Sequence, residues 1–144
     1  MDTRRFFTTN DEALIIEAIR AAELRTSGEI RLHVNDEHKG DFDTFAKMIF
    51  DKLQIQNTAQ RNGILFYLAI ETKRFAILGD IGIHAKVNDE FWHTLATELE
   101  QEFRKNNYCQ GLINAISKCG ELLQEHFPTL ADNPNELSND ISYE

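Results

Sequence analysis

Apolar residues recur at helical spacing through Leu14, Ile15, Ala18, Ile19, Ala22 and Leu24, which predicts a first helix with one buried stripe. Thr9-Asn10-Asp11-Glu12 ahead of it has the form of a capping box. Ser27-Gly28 stops that helix, since glycine enters a left-handed turn at little cost. The period then changes to two: Ile30, Leu32 and Val34 alternate with Glu29, Arg31 and His33. That alternation predicts a strand over 29–34 with one wet face, near a sheet edge. After a polar loop over 35–40, Phe42, Phe45, Ala46, Ile49 and Leu53 mark a second helix.

Residues 64–70 and 74–78 are apolar on both faces, which predicts central strands covered by helices on either side. The short Glu71-Thr72-Lys73 link makes them an antiparallel hairpin. Two more amphipathic helices are expected, over 89–105 with Phe91, Trp92, Leu95 and Leu99, and over 108–127 with Leu112, Ile116, Cys119 and Leu123. From Pro128 onward the chain carries little apolar content. The strand-helix-strand unit should run parallel with a right-handed crossover. The expected fold class is therefore α/β: a single-domain sandwich, a small mixed β-sheet with helices packed on both faces. Its divisions are an N-terminal extension over 1–9, the α/β domain over 10–127 and a polar tail over 128–144.

This topology has a geometric consequence. With strands one and two parallel and strand three antiparallel to them, three distant points share one edge of the sheet. They are Gly28-Glu29, Arg61-Asn62-Gly63 and Gly79-Asp80. The acidic pair Asp36-Glu37 falls at the opposite edge, with the hairpin turn.

At 144 residues the chain can bury a core without staples. A formal net charge of -9 argues against a nucleic-acid binder, which needs clustered Lys and Arg, and is compatible with cation binding. No apolar run approaches the roughly 20 residues of a membrane span, and Met1 to Phe7 lacks the apolar stretch of a secretion signal. The reading is a cytoplasmic protein with no direct membrane insertion. Cys109 and Cys119 would lie about 15 Å apart along one helix, too far for a disulfide, which needs Cα atoms within about 7 Å.

The elements in this order resemble the TPM domain family, found in thylakoid-lumen proteins of photosystem repair and in many bacterial proteins. The likeness rests on Ser27-Gly28-Glu29-Ile30, Asn62-Gly63-Ile64-Leu65, Arg74 through Gly82 leading to Val87-Asn88-Asp89, and Tyr108-Cys109-Gln110-Gly111-Leu112. It covers residues 10–127 and is closest to a short, stand-alone bacterial form. The resemblance implies a sandwich with helices on both faces, an acidic divalent-cation site that takes calcium in some members, and a weak phosphatase activity. Longer members commonly carry a Gly-x-Gly-hydrophobic-Glu stretch. Here Gly79-Asp80-Ile81-Gly82-Ile83-His84 puts a histidine in the place of that acid, which shifts the burden to Asp80.

Calcium takes roughly 6–8 oxygen ligands and mixes carboxylates with carbonyls. The shared edge offers Asp80, Glu29, the Asn62 amide and, if the following segment folds back, Asp89. Each has a plainer role: Asp80 as a turn or cap residue, Glu29 as an exposed strand-start acid, Asp89 as a helix-start acid, Asn62-Gly63 as a tight strand entry. The stretch from Asn35 to Asp43 is also oxygen-rich, but Asp41 reads better as a helix cap. The five histidines are scattered, with no zinc spacing. No nucleophile elbow, P-loop or dinucleotide fingerprint is present, and Gly82 stands where an aspartate-nucleophile phosphatase would want its second acid. Catalytic residues are therefore not assigned. The primary expectation is a TPM domain that binds Ca²⁺ at Glu29, Asn62, Asp80 and Asp89 and works as a binding module for an unidentified protein partner. The rivals are a weak metal-dependent phosphomonoesterase using the same acids, and a cation-independent interaction module using the polar tail at Asn135-Glu136-Leu137.

Overall fold

The structure, a computed structural model, describes residues 6–129 and 140–143. Helix α1 (Thr9–Glu23) is opened by a capping box one residue earlier than the pattern implied: Thr8 accepts from the Asp11 amide, and the Asp11 carboxylate accepts from the Thr8 amide. The helix ends at Glu23, before Ser27-Gly28. The intervening turn is tied to the end of the last helix instead. The Thr26 hydroxyl lies against the Leu123 and Phe127 carbonyls, and the Ser27 amide donates to Phe127 at 3.0 Å.

Strand β1 (Glu29–Asn35), helix α2 (Phe42–Lys52), strand β2 (Gly63–Ala69) and strand β3 (Arg74–Gly79) follow as expected in order. Asp41 caps α2, its carboxylate accepting from Thr44 at 3.0 Å. A single turn of helix, α3 (Ile81–His84), comes next, then the longer α4 (Asp89–Arg104) and α5 (Tyr108–His126). β1 and β2 pair in parallel with Glu29 opposite Gly63, and β2 and β3 pair antiparallel with Ile64 opposite Gly79. The sheet order is β3-β2-β1-β4, where β4 (Ser142–Tyr143) adds a short parallel strand to β1.

Three expectations are corrected here. Only β2 is fully central, with all seven residues buried; β3 is an edge strand, Arg74 exposed and the rest half-buried, because among the described residues nothing pairs beyond it. β1 does not keep a wet face: His33 is buried beside β4 and stacked on Tyr67, and Glu29 is buried against Glu23 of α1. The C-terminal segment is not wholly a polar tail, because Ile141 is buried and the next two residues form β4. The stretch at Asn135-Glu136-Leu137 lies outside the described residues.

The two faces of the sheet carry two cores. Ile30, Leu32, Val34, Ile64, Phe66 and Leu68 meet α1, α4 and α5; Leu65, Tyr67 and Ala69 meet Phe42, Ala46 and Ile49 of α2. The alternation along β2 thus feeds both layers, as strand geometry requires of a central strand. Cys119 is fully buried in the larger core and Cys109 is partly buried, both as free thiols. Among the described residues no helix is long and apolar enough to cross a membrane.

Candidate functional site

The glycine-flanked acid of β3 sits at a helix start. Asp80 caps α3, accepting from the Ile81 amide at 2.8 Å. Its carboxylate also receives the Arg61 guanidinium in two-pronged fashion, Nε to Oδ2 at 2.6 Å and Nη2 to Oδ1 at 2.9 Å. This paired geometry suits a planar guanidinium and is the stronger kind of charge-assisted bond. Those bonds raise Arg61 above the ordinary guanidinium range. Asp80 is buried while the Arg61 side chain is 44% exposed, so the pair faces solvent through its cation.

The second glycine has a steric cause. A Cβ on Gly82 would stand 2.1 Å from the Gln60 carbonyl oxygen and 2.6 Å from that of Arg61. The Gly82 amide donates to Arg61 at 2.9 Å across that gap. Arg61 itself adopts a left-handed backbone, φ 52°, uncommon for a residue with a Cβ. The loop before β2 and the turn after β3 are therefore clamped by main chain and side chain together.

Glu29 and Asn62 lie on the same end of the sheet. The Glu29 amide faces the Asn62 carbonyl at 3.4 Å, and the Asn62 side chain donates to Ser27 Oγ at 3.2 Å. Asn62 Oδ1 has no hydrogen-bond partner although the residue is only 1% exposed. A buried amide oxygen left this way costs free energy and stands ready to accept. Gly63 cannot be larger, because the Ile55 carbonyl would meet its Cβ at 2.7 Å. Asp89 is exposed in the first turn of α4, with Asn88 as the cap.

One acid absent from the sequence reading joins the site. Glu23, at the end of α1, accepts from the Ile30 amide at 2.8 Å and hydrogen-bonds to the Glu29 carboxyl. Burial first, then the neighbouring Glu29 charge, pushes Glu23 up to about 9 against the opposing Ile30 amide. Glu23 therefore keeps its proton at neutral pH, hydrogen-bonded to Glu29. A clue lay in the chain: an acid in the last turn of a helix opposes the macrodipole, so it needs another reason to be there. Among the described residues, no three His, Cys, Asp or Glu side chains converge as a metal-holding group. The oxygen-rich loop after β1 is at the far end of the sheet, where Asp36 accepts from the Glu71 amide through its main chain.

No curated protein matches this chain. Among solved structures, the BA42 protein of the psychrophilic bacterium Bizionia argentinensis shares 40% identity over 99% of both chains, with a TM-score of 0.93. The N-terminal domain of a protein from P. gingivalis shares the fold at 18% identity, covering 88% of this chain and 83% of that one, with a TM-score of 0.69. The TPM domain model matches residues 1–122, and with that match spanning most of its length the chain belongs to the TPM domain family.

Proposed function

We propose that this TPM domain binds a divalent cation, Ca²⁺, at the end of the sheet where β1 and β2 begin and β3 ends, and acts as a binding module rather than an efficient enzyme. The observation that carries this reading is the buried, unpartnered Asn62 Oδ1 at the same end of the sheet as Glu29, whose carboxyl is hydrogen-bonded to Glu23. Amide and carboxylate oxygens at one end of a sheet suit a hard cation, which accepts both kinds of ligand together. Glu29 and Asn62 would supply the first ligands. Asp80 could join only by giving up Arg61, because both of its oxygens are engaged. Asp89 would be an outlying contributor from the next helix.

Calcium titration followed by thermal melting tests the reading, since a ligand held only by the native state raises the melting temperature by mass action. Wild type should gain stability with calcium, and Glu29→Gln should lose most of that gain. Arg61→Gln should melt lower without metal yet respond more strongly to calcium, because Asp80 is then free. A calcium response identical in all three proteins would refute the site. Asp80→Ala is a poor probe, as it removes the cap and the ion pair at once.

The half-exposed Arg61 beside a carboxylate favours one second reading, a weak phosphomonoesterase in which the guanidinium receives the phosphate. Metal-dependent turnover of a generic phosphate ester that vanishes in Arg61→Gln would support it. Among the described residues none is positioned as an evident nucleophile-base pair, and binding without efficient catalysis is the preferred reading.

A further inference from the structure

The outer side of β1 is closed by residues 140–143, and each of the four has its own seat. Asp140 lies in the field of Arg31, and Ile141 is buried in the larger core. Ser142 Oγ is 2.7 Å from His33 Nδ1 and 3.3 Å from the Leu32 carbonyl, and the Tyr143 hydroxyl donates to the Glu12 carboxylate on α1. Among the described residues, main-chain pairing joins His33 with Ser142 and Val34 with Tyr143. So short a strand is held by its side-chain seats more than by its ladder.

His33 is the hub of those seats. Its ring is 1% exposed, stacked on Tyr67 at 6.0 Å between centroids, and its Nε2 has no hydrogen-bond partner. A relay from His33 Nδ1–H to the Ser142 hydroxyl, and from that hydroxyl to the Leu32 carbonyl, satisfies both donors and leaves Nε2 bare, which is the neutral ring. A second proton would create a buried cation. The groups around it are Arg31 and Asn35 on β1, Lys52 on α2, Tyr67 on β2 and Ser142 on β4. Of these the two cations oppose the new charge and Asn35 favours it. Ser142 of the outer strand sits directly on the ring, so lifting that strand opens His33 to water.

We propose that residues 140–143 form a proton-released latch on β1: seated while His33 is neutral, lifted when the ring takes its second proton. Release uncovers the main chain of β1 on its outer side, a ready edge for pairing with another strand. The direction follows from linkage. Burial chiefly holds the seated ring down to about 4, against an ordinary 6.5. The latch is therefore fully held above 6.5 and loses its hold as pH falls from there toward 4.

The test is amide exchange by NMR on the full chain, corrected for intrinsic rates. Between pH 7 and pH 5 the opening of residues 141–143 should increase on the order of tenfold, while β2 amides stay unchanged. His33→Phe should abolish that increase. Ser142→Ala, which leaves the titrating ring in place, should exchange faster at both pH values and keep the pH response. Opening of 141–143 that ignores pH, or that tracks β2, overturns the latch, as does a Ser142→Ala tail no faster than wild type.

Discussion

Asp80 and Glu23 show how a carboxylate's surroundings decide its work. Asp80 is buried but fully partnered, with Arg61 and the Ile81 amide on its oxygens, so its work in this state is structural. Glu23 has the Ile30 amide and an acidic neighbour, and holds its proton to about 9. The folded state thus keeps a proton that the unfolded chain releases near 4.5. Stability is greatest below 4.5 and declines as pH rises through the window up to 9. Glu23→Gln mimics the protonated carboxyl and still accepts from Ile30. In metal-free buffer it should melt above wild type at pH 8, by about 1–2 kcal/mol after allowing for partial exposure, and close to wild type at pH 4. Wild-type melting temperature falling between pH 5 and 8 while the variant stays flat is the expected pattern. Parallel curves would show that Glu23 does not keep its proton in the folded state.

At the scale of elements, the turn after β3 shows what a local pattern reveals and what it hides. Gly79-Asp80-Ile81-Gly82 marks a special backbone, and its acid does reach the predicted end of the sheet. The sequence pattern could not show that Gly82 packs on the Gln60 and Arg61 carbonyls, because that contact joins segments distant along the chain. Arg61 was visible as the one nearby cation, but its two-pronged grip on Asp80 depends on a left-handed backbone set by the same contact. Gly82→Ala tests the clamp. A Cβ there must push two carbonyls aside, and the expected cost is at least about 3 kcal/mol, roughly 10 °C or more in melting temperature. A loss below about 1 kcal/mol would mean the loop before β2 gives way freely. The hidden strand β4 has a different cause. Ile141 and Tyr143 flank one polar residue, too short a run for periodicity to register, and their burial depends on α1 and β1 having already formed.

Across the whole molecule, element order, the parallel β1–β2 pair and the antiparallel hairpin were legible, because each rests on a run of apolar residues with its own period. That topology brings Glu29, Asn62 and Asp80 to one end of the sheet without any local motif linking them. Asp89 has the helix-start position that its plainer reading implied, exposed in the first turn of α4. A chain with a net charge of -9 will attract divalent cations loosely over its surface, so a specific site must be recognised by place rather than by affinity alone. The most direct measurement is a calcium titration of the ¹⁵N-labelled chain, reading amide shifts residue by residue. Saturable shifts concentrated at residues 23, 28–30, 61–63 and 80–82 are predicted, and they should shrink in Glu29→Gln. Shifts confined to the loop over 35–43, or spread evenly over exposed acids without saturation, would contradict a cation site at this end of the sheet.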